Sequence, residues 1–142
     1  MDAIAIDFET DDQGRPWQLG AVAFEYDESG KAAPGEMHDW RFESGGLMAY
    51  WEEIYGFLAG KTLIAHNIAC EKTILTRLAP ITPWGPWIDT LKIAKKRYPK
   101  LASHALGDLC MMFGCVPVFE GRTWHDGLYD ALACGMLYEK IA

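Results

Sequence analysis

The run Ala3-Ile4-Ala5-Ile6-Asp7-Phe8-Glu9 constrains this chain more than any other segment. Residues 3–8 are apolar and carry β-branched side chains, as a buried strand requires, and the run ends in acids. On a strand, residues two apart point to the same face, so Asp7 and Glu9 project together. Like charges held that close are unfavourable unless a cation neutralises them. Such a pair also occurs at solvated strand ends, so it gains meaning only from acids elsewhere in the chain.

The rest of the pattern supplies a frame for that strand. Residues 17–26 read as a second strand after the turn-rich DDQGRP, and residues 37–43 as a third, with His38, Trp40 and Phe42 on one face. Three strands joined by short polar turns predict an antiparallel meander. After Gly45-Gly46 the spacing of Leu47, Tyr50, Trp51, Ile54, Phe57 and Leu58 turns helical, and Gly60 ends that helix. Residues 62–65 form a short strand, residues 69–78 a helix, and Ile88-Asp89 a fifth short strand. Helices follow at 90–98, at 104–113 with Ser103 as N-cap, and at 126–141. The order βββαβαβααα implies an α/β fold in which helices flank a five-stranded mixed sheet, and 142 residues fit one domain.

Two further constellations carry acids. Ala65-His66-Asn67 leads from a strand into a helix start, with Asn67 as its N-cap and Glu71 in the first turn. There Glu71 faces either the helix dipole or a metal. In His125-Asp126-Gly127-Leu128-Tyr129-Asp130, the histidine precedes a helix and Asp130 lies inside it. Their offset puts them on different sides of a helix, so His125 acts, if it acts, from the incoming loop.

Composition narrows the setting. A net charge of −7 argues against broad adhesion to a polyanion, but not against a nucleic-acid enzyme whose metal-holding acids count in that sum. Cys70, Cys110, Cys115 and Cys134 form no C-x-x-C pair and are expected to be reduced thiols. With no basic start before an apolar stretch, and no run near the roughly 20 residues that span a bilayer, a cytoplasmic protein without membrane contact is expected.

The segments AIDFET, AHNIACEKTIL, WIDTLKIAKKRYPKLASHALGDLC and WHDGLYDALA, in this order, resemble the DEDDh 3'–5' exonucleases, the family of the DNA polymerase III epsilon proofreading subunit and ribonuclease T. The resemblance covers nearly the whole chain and implies a ribonuclease H-like fold. It implies Asp7, Glu9, Glu71 and Asp130 as acids around two divalent cations, Mg²⁺ or Mn²⁺, with His125 as general base. In such sites two ions about 3.5–4 Å apart clamp the attacking and leaving oxygens of a phosphodiester. By the same resemblance Asp7 bridges both ions, and Glu9 and Asp130 hold the one beside the attacking water. The expected substrate is a nucleic acid with a free 3' end, single-stranded DNA or RNA, released as nucleoside 5'-monophosphates. Phe8, Thr10, His66, Asn67 and Lys72, which flank the acids, are the expected substrate contacts.

Two departures from the family pattern stand out. The second motif carries Glu71 where Asp is usual, and residues 43–60 lack the Ile-His-Gly element that helps seat a terminal base. Trp40, Leu47, Tyr50 and Trp51 are either its replacements or core. Lys92, Lys95 and Lys96 share a helix face that either tracks a phosphate backbone or is merely solvated. The alternative function is an exonuclease-like nucleic-acid-binding module with weak or no catalysis; a polymerase partner is a further possibility without sequence support. GFLAGKT, Gly56 to Thr62, is no P-loop: three residues separate its glycines where four are needed.

Overall fold

A computed structural model describes residues 1–43 and 46–142. Its strands are β1 (Asp2–Thr10), β2 (Pro16–Tyr26), β3 (Ala32–Arg41), β4 (Leu63–Ala65) and β5 (Trp87–Asp89). They form one sheet in the order β3-β2-β1-β4-β5. β1–β2 and β2–β3 are antiparallel, and β1–β4 and β4–β5 are parallel. This is the expected mixed sheet of ribonuclease H-like type, with β1 at its centre. The helices are α1 (Gly46–Ala49), α2 (Trp51–Leu58), α3 (Ala69–Leu78), α4 (Thr90–Arg97), α5 (Leu106–Phe113) and α6 (Gly127–Ile141). The expected change of period at Gly45-Gly46 falls partly outside the described residues.

Alternation along β1 decides what each face carries. Ile4, Ile6 and Phe8 enter a core shared with Ile54 and Leu58 of α2 and Ile74 and Leu75 of α3. The opposite face shows Ala3 and Ala5, and α6 lies there through Leu128, Ala131 and Leu132. Asp7 and Glu9 continue this small-residue face, so the acids point to the side that receives α6. The outer side of α6 is covered in turn, Ala133, Leu137 and Ile141 packing with Ala94 of α4 and Leu109 of α5. A helix covered on both sides must be apolar along most of its surface, and in α6 the charged residues are confined to Asp130 near its start and Glu139 and Lys140 near its end.

Glycines let α6 approach closely. Gly127, its first residue, stands against β1 and β2, where a Cβ would lie 3.1 Å from the Asp7 carbonyl oxygen and from the Gly20 nitrogen. A Cβ on Gly20 would overlap the Gly127 carbonyl group. Further along, Gly135 leaves room for the Phe24 ring.

Three sequence expectations need correction. β3 begins at Ala32 rather than 37 because it is an edge strand, where Pro34 withholds no ladder bond that the sheet interior requires. Asn67 is not the cap of α3; it sits in the left-handed region at φ 72°, and the cap position is Ile68, without a side-chain bond. Ser103 does not cap α5, which starts at Leu106; its hydroxyl donates to Asp108 and accepts from the Ala105 amide. Gly60, at φ 75°, follows the end of α2 as expected. The cysteines are free, with Cys70 exposed and the other three buried. Among the described residues no helix is long and apolar enough to cross a membrane.

Candidate active site

Three carboxylates meet where β1 ends and α6 begins. Asp7 lies opposite Gly20 and Glu9 opposite Gln18, on the strand face that α6 covers. Asp130 stands in the first turn of α6. One carboxylate oxygen from each of Asp7, Glu9 and Asp130 lies within 4.8 Å of the other two. Asp7 Oδ2 and Asp130 Oδ1 are buried and have no hydrogen-bond partner among the described residues.

Such an arrangement is electrostatically unfavourable without a cation. Burial, reinforced by the Glu9 carboxyl and the charges of Glu71 and Asp130, pushes Asp7 up to about 11. Burial and then the Glu9 charge raise Asp130 to about 7, against the His125 amide that favours its ionised form. Hard oxygen donors, crowded and partly unpartnered, are the donor set that Mg²⁺ or Mn²⁺ takes. The residues present therefore fit a divalent ion.

Glu71 stands beside the three acids, and one of its oxygens is already engaged by the backbone. It is buried, and its Oε2 accepts a hydrogen bond from the Phe8 amide at 3.1 Å, beside the acids but outside the three-oxygen group. Burial raises it to about 7, the Phe8 and Glu71 amides opposing. The extra methylene lets it reach the β1 backbone.

His125 arrives as expected on the turn ahead of α6, exposed, with φ 69° and its amide donating to Asp130 Oδ2 at 3.3 Å. The expected substrate contacts divide. Thr10 is half-buried at the end of β1, and Lys72 is exposed on α3. Phe8 is 5% exposed and part of the core, so its side chain does not face a substrate. His66 has both ring nitrogens engaged: Nε2 donates to the His104 carbonyl at 2.8 Å, which leaves Nδ1 to accept from the Thr90 hydroxyl at 2.9 Å. Burial holds its pKa below the usual histidine value, and it serves as a neutral strut. Asn67 gives its backbone amide to Asp89.

The aromatic candidates also separate. Trp40 is core, and Trp51 packs on Tyr55 and Trp84. Leu47 instead lines a cleft of about 570 Å³ with Arg15, Trp17, Phe42 and Met48, next to the β1 end where Thr10 pairs with Pro16. The C-terminal part of the basic run lies elsewhere. Lys96 and Arg97 line a cleft with Tyr138 and Ala142, at the far end of α6. At 1.5 Å per residue that is about 18 Å along the helix from Asp130. Lys96 and Arg97 thus belong to a solvated surface remote from the acids.

Sequence reasoning overlooked the residues that position these groups. Asp89 accepts from Leu91 and Lys92, capping α4, and also from the Asn67 and Ile68 amides that open α3. An acid directly before a helical run is a capping signal, and Asp89 carried it. Gln18, fully buried, accepts from the Gly127 amide at 2.8 Å and donates to Asp39 at 2.9 Å. A polar residue inside an otherwise apolar strand was its only mark.

The sheet order and flanking helices define a fold of the ribonuclease H-like class, with the acidic cluster at the end of its central strand. Among solved structures, "Exonuclease X in complex with 5' overhanging duplex DNA" matches with a TM-score of 0.64, covering 98% of this chain and 90% of that one at 18% identity. At that identity the likeness is one of fold. Among curated proteins, the chain is similar to the DNA polymerase III PolC-type of Halalkalibacterium halodurans, 32% identical over 93 residues, or 63% of this chain. That of Streptococcus thermophilus is 33% identical over 95 residues, or 64% of it. The chain spans 6% of the length of these relatives. No family model matches it. The resemblance to the DEDDh exonucleases carried by the four motifs is borne out by these comparisons.

Proposed function

We propose that this chain is a metal-dependent 3'–5' exonuclease that releases nucleoside 5'-monophosphates from nucleic acid ends. The observation that carries this reading is the convergence of Asp7, Glu9 and Asp130 with two buried carboxylate oxygens lacking partners. The fold shared with Exonuclease X, solved on DNA, and the PolC-type relatives support it.

Asp7, Glu9 and Asp130 would hold the divalent ions. When bound, the ions neutralise the clustered acids and the phosphodiester charge and favour ionisation of water. His125, exposed on the turn ahead of α6, takes the proton of the water that attacks the terminal phosphodiester. The bond from phosphorus to the preceding nucleotide's 3' oxygen breaks, leaving a 5'-monophosphate. The cleft lined by Trp17, Phe42, Leu47 and Met48 offers apolar surface for the terminal base.

Incubation with a 5'-labelled single-stranded oligonucleotide and Mg²⁺ or Mn²⁺ tests the proposal. Stepwise shortening that EDTA stops is the expected result; an intact substrate in both metals defeats it. The engagement of Glu71 with the Phe8 amide favours one second reading, a binding module with weak catalysis. Tight oligonucleotide binding without monophosphate release would select it.

A further inference from the structure

A mixed clamp of two carboxylates and two guanidiniums lies on the outer side of the acidic cluster. Arg122 Nη1 donates to Asp39 Oδ2 at 2.9 Å and to both oxygens of Asp126, at 3.0 and 3.1 Å. Arg41 joins the same two acids, through Nε to Asp39 at 3.2 Å and through Nη2 to Asp126 at 3.1 Å. Asp39 is on β3, and its other oxygen accepts from Gln18 on β2. Asp126 uses Oδ1 to cap α6, accepting from Leu128 and Tyr129. The clamp therefore fastens one residue, Asp126, to two strands of the sheet.

Asp126 stands between the two groups that the proposed chemistry needs on this side, His125 and the helix carrying Asp130. The backbone at His125 is left-handed at φ 69°, a conformation that a non-glycine residue holds only against a steric penalty of about 1 kcal/mol or more. Something must hold the turn in that state. The His125 amide bond to Asp130, at 3.3 Å, is long. The clamp is stronger: its pairs are charge-assisted, and Asp39, Asp126 and Arg122 are 16%, 18% and 24% exposed. Ion pairs so shielded are screened less than surface pairs.

We infer that Arg122, held by Asp39, is a positioning residue that fixes the turn presenting His125 to the substrate. The inference rests on the exonuclease reading. Arg122 need not touch nucleic acid; it acts through Asp126 on its neighbour. The loop entering this turn, residues 115–126, has no regular structure of its own; Trp124 packs edge-on against Tyr129, and the clamp is the polar tether that orients the loop's end.

Single-turnover and steady-state cleavage of a 5'-labelled DNA oligonucleotide in Mg²⁺ tests this with Arg122→Met, Asp39→Asn, His125→Ala and the double variant Arg122→Met/His125→Ala. Arg122→Met should lower kcat about 30-fold, with KM and Mn²⁺ affinity within about twofold of the parent. The double variant should be no slower than His125→Ala alone, because a group that acts through another adds nothing once that other is gone. Asp39→Asn, which keeps the shape of the side chain, should move kcat in the same direction. An unchanged kcat in Arg122→Met, an additive double variant, or a parallel fall in Mn²⁺ affinity overturns the inference. Amide hydrogen exchange over residues 124–128 decides it without activity: exchange about tenfold faster in Arg122→Met is expected, and unchanged protection overturns it. If the parent cleaves nothing, the exonuclease reading fails, and the exchange result still judges the clamp.

Discussion

Gly20 of β2 and Gly127 of α6 stand face to face with no space for a side chain on the strand residue. The distances from Asp130 to Asp7 and Glu9 depend on that approach, because Asp7 pairs with Gly20 and Asp130 lies one turn beyond Gly127. Gly20→Ala should therefore push α6 off the sheet. We expect a loss of about 3 kcal/mol in urea unfolding and weaker Mn²⁺ binding in whatever remains folded. A stable Gly20→Ala protein with parental Mn²⁺ affinity would show that the contact does not set the site.

The acids make metal-free stability fall with pH. Asp7 in the folded state titrates near 11, whereas an unfolded aspartate loses its proton near pH 4. Its contribution is complete below about pH 4 and is lost as the pH climbs toward 11. Asp130 and Glu71, raised to about 7, lose theirs by neutral pH. The lowered pKa of His66 works in the opposite sense, but only up to about pH 6.5. Between pH 7 and 9 stability thus falls chiefly through Asp7, and the raised thiols of Cys70, Cys110 and Cys134 add to the fall toward pH 9. Thermal unfolding in EDTA should show the melting temperature dropping over that window, and Mg²⁺ should restore more at pH 9 than at pH 7. A flat or rising profile would contradict it.

Asp7→Asn separates function from stability. Activity should fall by about 10³-fold, equivalent to about 4 kcal/mol of barrier. The metal-free variant should nonetheless melt higher than the parent at pH 8, since it no longer has to take up a proton at this position to fold. Comparing oligonucleotide cleavage with calorimetry in EDTA checks both halves.

His125 and His66 should respond differently to loss of the imidazole. His125→Ala should cut kcat by about 10²–10⁴-fold with stability and Mn²⁺ affinity nearly unchanged, as for a general base on an exposed turn. His66→Ala should cost about 2 kcal/mol of stability, because it removes two hydrogen bonds from a largely buried site and leaves the His104 carbonyl without this donor. Denaturant titration beside rate measurement distinguishes them; equal kinetic losses would assign His66 a direct part.

Much of this was legible from local signals. The apolar run ending at Asp7 marked the central strand, and period changes marked the helices, because both reflect one-dimensional patterns of burial. The convergence of Asp7, Glu9 and Asp130 was legible only through the ordered motifs, since 121 residues separate Glu9 from Asp130 in the chain. The bond from the Phe8 amide to Glu71 left no trace in the motif, because its partner lies 63 residues away in the chain. His66 looked like a contact because its motif adjoins the acids, yet both its partners come from segments distant in sequence. Gln18, Asp39 and Arg122 escaped notice for the same reason: their bonds cross between strands and a loop. Pro34 hid the start of β3, since a breaker at an edge is harmless but reads like one at the centre.

The enclosure of α6 between the sheet and two other helices bears on how this protein comes apart. Ten of its fifteen residues are buried, and it touches β1, β2, β3 and β4. Segments embedded to that degree open only when the whole molecule does. Asp130 therefore rides on the last element to let go, and proteolysis or heat should erase the acidic cluster and the folded body in one cooperative event, leaving no compact remnant with a dismantled cluster to accumulate.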